Sequence, residues 1–241
     1  MDRSAKSIVA LTGAGISVES GIPTFRGPDG LWQGHDPHQL ATPLAFARDP
    51  ELVWRFYEWR RGLVAASQPN NAHHVLVEIE ETLSPLTIIT QNVDGYHIEA
   101  GSENVIELHG SLWRLKCTHC SQRWEDRRHP LPDLPARCPS CNALARPDVV
   151  WFGETLDPHN LNAAYKQTQQ SSIFLSIGTS SVVHPAAELP LLARQHGAYT
   201  IEINPENTPI SGFMDEVIRG SAADELGRWW KEDYPKLLDT D

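Results

Sequence analysis

Short apolar runs rich in Ile, Val and Leu recur along the chain: Ile8 to Leu11, Leu86 to Ile89, Val105 to Leu108, Ile173 to Ile177 and Tyr199 to Ile203. Each is bounded by Gly, Pro, Asn or Ser, and mixed polar and apolar stretches lie between most of them. The runs do not alternate, which indicates strands covered on both faces, as in a parallel sheet flanked by helices. Helices are expected over residues 51–66, 158–170 and 185–195. In the first of these Leu52, Val53, Phe56, Leu63 and Val64 fall on or near one stripe, with Asp49-Pro50 as a start and Gln68-Pro69-Asn70 as a stop. Residues 115–148 break the rhythm: they are polar, Pro-rich and cysteine-bearing, and read as an insertion with a fold of its own. The expected fold class is α/β. A doubly wound, Rossmann-like parallel sheet spans residues 1–114 and 149–241, interrupted by a small zinc-binding module at 115–148.

At 241 residues the chain is long enough for one large domain plus such an insertion. No run approaches the roughly 20 apolar residues of a membrane span. Met1 to Ser7 is polar and leads straight into a strand, so no apolar leader is expected and the reading is cytoplasmic. A formal net charge of −11 argues against direct nucleic-acid binding, which needs an accessible basic surface. The oligomeric state stays open. All four cysteines lie in the insertion as Cys117-x2-Cys120 and Cys138-x2-Cys141. Each pair fits a tight turn that aims two thiolates at one point, and two such turns make a closed tetrahedral zinc site. Four protein ligands leave no open position, so the metal is expected to be structural. Arg123, Arg127, Arg128 and Arg137 would suit a nucleic-acid-binding zinc ribbon, but Glu125, Asp126 and Asp133 dilute them to a mixed-charge face.

The first strand runs into Thr12-Gly13-Ala14-Gly15-Ile16-Ser17. Two glycines there let the backbone approach a diphosphate and present N–H groups at a helix start. Val18 stands where the dinucleotide fingerprint has its third glycine, and an ordinary strand–helix turn explains the pair equally well. The segment from Glu19 to Gly27, with its Gly, Pro, Phe and Arg, is suited to fold over a cofactor and exclude water.

GAGISVESGIPTFRG (13–27), TQNVDGYH (90–97), ELHGSL (107–112), the two cysteine pairs, RPDVVWFGE (146–154) and GTSSVVHP (178–185) together resemble the sirtuin family, in the family's order and over residues 8 to about 230. Tyr96 departs from it, at a position that is often Leu. The resemblance implies an enzyme that consumes NAD as co-substrate and deacylates lysine in proteins or peptides, releasing nicotinamide and O-acyl-ADP-ribose. It makes His109 the general base, a role that suits a group titrating near neutrality. Asn92 and Asp94 would act at the nicotinamide and ribose end, Phe25 would shield the reacting ribose carbon, and Arg26 with the Gly13–Ser17 amides would hold phosphates. Gly13, Ala14, Gly15, Ser17, Thr24, Trp32 and Gln91 complete that end of the NAD site. Gly178, Thr179, Ser180, Asn204, Pro205, Glu206 and Ala222 would contact the adenosine half. Val149, Val150 and Phe152 would meet the substrate peptide along an extended edge.

Tyr57 and Arg60 are three residues apart on the expected helix and share a face. They resemble the Tyr-x-x-Arg pair of sirtuins that remove succinyl, malonyl or glutaryl groups, and Ala41 matches the small residue that widens the acyl pocket there. Without the resemblance, Arg60 beside Arg61 reads as a surface arginine on a charged helix face. Two other functions remain alternatives: a mono-ADP-ribosyltransferase, and a non-catalytic NAD-binding or zinc-ribbon module.

Overall fold

The computed structural model describes residues 6–25, 30–32, 36–82 and 86–238. Six strands, β1 (Ile8–Thr12), β2 (Leu86–Thr90), β3 (Val105–Glu107), β7 (Ile173–Ile177), β8 (Tyr199–Ile203) and β9 (Glu216–Ile218), form one sheet in the order β3-β2-β1-β7-β8-β9. Every pairing in it is parallel. Successive residues of a strand face opposite sides. Ile8 and Ala10 enter the core shared with helices α3 (Asn71–Thr82) and α7 (Ala222–Arg228), while Val9 and Leu11 enter the core shared with α5 (Pro158–Gln170) and α6 (Leu189–Gln195). Both faces are therefore dry, which is why the runs lack polar alternation.

The second sheet is antiparallel, in the order β5-β4-β6, from β4 (Gly110–Cys117), β5 (Arg123–Glu125) and β6 (Ala145–Val149). It begins at Gly110 rather than at 115, because the chain turns directly out of β3 into β4. Nor does it build its core alone. Leu112, Trp113, Leu115, Ala145, Val149 and Trp151 pack with Ala45 and Phe46 of α1 (Pro43–Arg48) and Val53, Trp54, Phe56 and Tyr57 of α2 (Pro50–Ala65). Helix α2 is thus buried well beyond the one stripe read from its sequence.

The alternative of Arg60 as a surface arginine is overturned: Arg60 is 7% exposed, and its neighbour Arg61 is 0% exposed. Arg61 donates to the carbonyls of Leu112 (2.5 Å), Asp126 (2.7 Å) and Arg128 (2.6 Å), and so closes irregular backbone that no strand satisfies. The module's own arginines are mostly paired with acids, Arg127 with Glu125, Arg128 with Asp126 and Arg123 with Asp148. Among the described residues no helix is long and apolar enough to cross a membrane. The expected helix at 185–195 is a 3-10 turn at Ala186–Glu188 followed by α6. Among the described residues the remaining α-helices are α4 (Tyr96–Ala100) and α8 (Tyr234–Leu238).

Candidate active site

In an open α/β sheet, ligands bind beyond the carboxyl ends of the strands where the strand order reverses. Here that point lies between β1 and β7, and a cleft of about 1240 Å³ opens there. Gly13, Ala14 and Gly15 line it after β1, Gln91 and Asn92 after β2, and Gly178, Thr179 and Ser180 after β7. Asn204, Pro205 and Glu206 after β8 complete that wall, with Ala222 at the start of α7. Thr24 also lines the cleft.

The glycine loop does something other than the fingerprint suggested. A Cβ on Gly15 would lie 2.7 Å from backbone atoms of Gly178, so this glycine is required by two loops in contact. The amides of Gly13, Gly15 and Ile16 donate to Ile177, Gly178 and Gly13 carbonyls at 3.1, 2.8 and 3.1 Å. These three are therefore not available to phosphates, contrary to the expectation for the whole run. The loop leads into a 3-10 helix (Ala14–Ser20) rather than an α-helix. Arg26, the other expected phosphate contact, lies outside the described residues.

At the end of the cleft beside β2 sits a small cavity of about 20 Å³ bounded by Ser17, Phe25, Arg60, Asn92 and Asp94, among others. Asn92 Nδ2 donates to Gly13 O (3.1 Å) and Ser17 Oγ (3.3 Å), and Ser17 Oγ donates to Asp94 Oδ2 (2.9 Å). Burial raises the Asp94 pKa, opposed by hydrogen bonds from the Tyr96 amide and Ser17 and by the charge of Arg60. The Asn92 nitrogen is thus committed, and its carboxamide oxygen has no donor among the described residues.

His109 follows β3 and lines the same cleft. Its Nδ1 lies 2.9 Å from the carbonyl of Gln91. A carbonyl only accepts, so Nδ1 carries the proton and Nε2 keeps its lone pair. Burial lowers the His109 pKa, with the Gln91 carbonyl opposing, so the ring is neutral at neutral pH. Gly110 makes the sharp exit possible: its φ is +80°, and a Cβ there would stand 2.0 Å from Asp148 O.

Ala41, Tyr57 and Arg60 line the cleft on the side of α2, with Phe25 and Trp32. Trp32, expected among the cofactor contacts, stacks on Phe56 (centroids 5.7 Å apart) and faces Phe25 (5.4 Å) and Phe152 (6.2 Å). The Arg60 guanidinium lies over Phe25 at 5.0 Å and near the Tyr57 ring at 5.6 Å. Burial lowers its pKa, countered by Tyr57 and Asp94, but a guanidinium remains a cation. It makes no ion pair among the described residues.

The edge at 149–152 is less open than the sequence suggested. The amides of Val150 and Phe152 donate to His109 O and Ala41 O, both at 2.9 Å, and that of Trp151 to Glu154 Oε2 at 2.9 Å. The carbonyls of Val150 and Phe152 and the amide of Gly153 have no hydrogen-bond partner among the described residues. Val149, Val150 and Phe152 all line the cleft.

The model of the Sir2 family matches residues 13–185 of the chain. The NAD-dependent protein deacylase of Aquifex aeolicus is 50% identical over 220 residues, covering 91% of this chain and 92% of that one. The chain belongs to the Sir2 family.

Solved structures agree. A Sir2 homologue in complex with NAD superposes with a TM-score of 0.90 at 46% identity, over 98% of this chain and 92% of that one. A Sir2 variant bound to a deacetylated p53 peptide and 3′-O-acetyl-ADP-ribose gives 0.83 at 32% identity, over 95% and 94%. In this Sir2 protein the four cysteine sulfurs lie within 4.8 Å of one another, with Cys117–Cys141 at 3.5 Å and Cys120–Cys138 at 3.7 Å. A tetrahedron with zinc–sulfur bonds of about 2.3 Å has edges of about 3.8 Å, so the donor set fits zinc with no position left open. The amides of Cys120 and His119 donate to Cys117 Sγ at 3.3 and 3.2 Å and hold its pKa down at about 6, favouring the thiolate.

Of the residues singled out in the sequence, Ser17 and Asp94 reach only the small cavity, and the rest of the described ones reach the cleft or the cysteine cluster. Sequence reasoning missed Trp151. It is buried, lines the cleft, and donates through Nε1 to Tyr57 Oη at 2.8 Å. Its only signal was an aromatic residue inside the VVWFG run.

Proposed function

We propose that this Sir2-family chain is an NAD-dependent lysine deacylase that prefers acyl groups ending in a carboxylate and also accepts acetyl-lysine. The carrying observation for the chemistry is the tautomer of His109. With Nδ1–H held by Gln91 O, Nε2 of the half-buried ring keeps a neutral lone pair on the cleft wall, suited to take a proton from a ribose hydroxyl. NAD supplies a ribose carbon with nicotinamide as leaving group. The loops after β1, β7 and β8 and the start of α7 would hold it, with the adenosine half toward Asn204 and Ala222. Asn92, Asp94 and Ser17 would orient the nicotinamide end in the small cavity, and Phe25 would keep stray water away from the reacting carbon.

For the acyl group, the supporting observation is Arg60: a buried guanidinium on the cleft wall with no carboxylate partner among the described residues. Burying such a charge is costly unless it is paired, and a succinyl or malonyl carboxylate would pair it. Ala41, small and buried, leaves room for the longer tail. Rates on acetyl-, malonyl- and succinyl-lysine versions of one peptide test the preference. Arg60→Met should lower succinyl-lysine turnover by about 10–100-fold more than acetyl-lysine turnover, as expected for a charge-assisted contact. Equal losses on both substrates would remove the carboxylate reading and leave the deacylase intact.

A further inference from the structure

Trp151 has no part in the chemistry proposed above, yet it is buried on the cleft wall with partners on several sides. Its side of the cleft is closed by Phe46, whose ring centroid is 5.4 Å away, and by the Arg146 guanidinium, 3.3 Å from the indole centroid. Arg146 is in turn fixed by both oxygens of Glu154, at 2.6 and 2.8 Å. The indole is therefore rigid before any ligand arrives, and its N–H is directed at Tyr57 Oη (2.8 Å) across 94 positions of sequence.

An indole N–H can only donate, so the phenol must accept from it. A phenolic proton prefers the plane of its ring and has two positions there, one on either side of the oxygen. The donor from Trp151 excludes the proton from the near side. Among the described residues Tyr57 Oη has no acceptor for its own proton, and Tyr57 lines the cleft beside Arg60. Donation from the indole also polarises the phenol and makes its O–H a better donor.

We propose that Trp151 is a positioning residue for acyl selectivity: its indole N–H fixes the phenol of Tyr57 as a hydrogen-bond donor toward acyl groups that carry a carboxylate. This rests on the reading of Tyr57 and Arg60 as the carboxylate contact. A terminal carboxylate accepts from both groups, whereas an acetyl group offers nothing to either. The acyl tail is remote from the bond that breaks, so the contribution appears as binding shared by ground and transition states.

The test is kcat and KM on succinyl- and acetyl-lysine versions of one peptide for the native protein, Trp151→Phe, Tyr57→Phe and the double variant, with Arg60→Met alongside. Trp151→Phe is expected to raise the succinyl-peptide KM about three- to tenfold, the range of one neutral hydrogen bond, and to leave acetyl-peptide kinetics within about twofold. In the Tyr57→Phe background the same change should have no further succinyl-specific effect, since the hydroxyl it acts through is gone. Replacing Trp151 by the benzothiophene analogue of tryptophan, which keeps the volume and lacks the N–H, should reproduce the result if Trp151→Phe does not fold. Equal losses on both peptides, or an undiminished succinyl loss in the Tyr57→Phe background, would show that Trp151 acts by packing and overturn the proposal. If Arg60→Met collapses the succinyl preference while Trp151→Phe leaves the succinyl-peptide KM within about twofold of native, the proposal alone fails. If Arg60→Met leaves the preference unchanged, the carboxylate reading fails as well.

Discussion

Replacing Gly110 by alanine should disable His109 without touching it. Gly110 sits at φ +80°, where an L-residue costs about 1–2 kcal/mol more than glycine. Its new Cβ would stand 2.0 Å from the Asp148 carbonyl oxygen, whereas real contacts do not fall under 3.0 Å, so the two strands must part by about 1.0 Å. The strand that must give way is β6, paired to β4 through Gly110 and Val149 and leading into the Val150 amide bonded to His109 O. Losing that hydrogen bond adds about 1 kcal/mol, for a total of about 2–3 kcal/mol. A shift of that size at the imidazole lowers turnover by about 100-fold. Urea unfolding measures the first quantity, and nicotinamide release with saturating NAD and an acetyl-lysine peptide measures the second. Gly197→Ala is the control. Gly197 has φ +88° but nothing within 4 Å of a new Cβ and lies outside the cleft, so it should lose about 1–2 kcal/mol and no activity. Turnover by Gly110→Ala within twofold of the native rate would refute the reasoning that this turn holds His109 in a working position.

Two further outcomes rest on the site. Because burial disfavours the protonated form of His109, the acid limb of kcat/KM should have its midpoint below pH 6.5, with activity at a plateau above it; a midpoint above 6.5 would remove His109 as the titrating base. Chelation of zinc should disorder the segment around the four cysteines and abolish acetyl- and succinyl-lysine turnover in parallel. Zinc and cobalt(II) should restore the same rates, and rates that followed the identity of the metal would contradict a structural role.

Helix α2 shows how these effects are coupled. On one side it carries Tyr57 and Arg60 into the cleft. On the other, Arg61 ties it to three carbonyls of the small sheet and its loop, and Trp54 Nε1 donates to Ala145 O at 2.8 Å. The small sheet that carries the cysteine cluster is thus tied by hydrogen bonds to the helix that carries Tyr57 and Arg60.

Short-range pattern was enough for much of this protein. Non-alternating apolar runs announced a sheet buried on both faces, because each strand's two faces are read within five residues. The two Cys-x2-Cys pairs announced a four-thiolate site, because each pair needs only a tight turn. Motif order placed His109, Asn92 and the glycine loops at strand ends, where the sheet opens its cleft. What the sequence could not fix was which groups each side chain meets. The proton on His109 is set by a carbonyl 18 positions away, and Gly13 and Gly15 are small because a loop more than 160 residues later lies against them. Arg61 is buried because three distant carbonyls close over it, and Trp151 meets Tyr57 across 94 positions of sequence. Periodicity and spacing act over a few residues and survive in any fold that uses them. Burial and hydrogen-bond pairing are set by segments far apart in sequence, and only the tertiary structure brings those segments together.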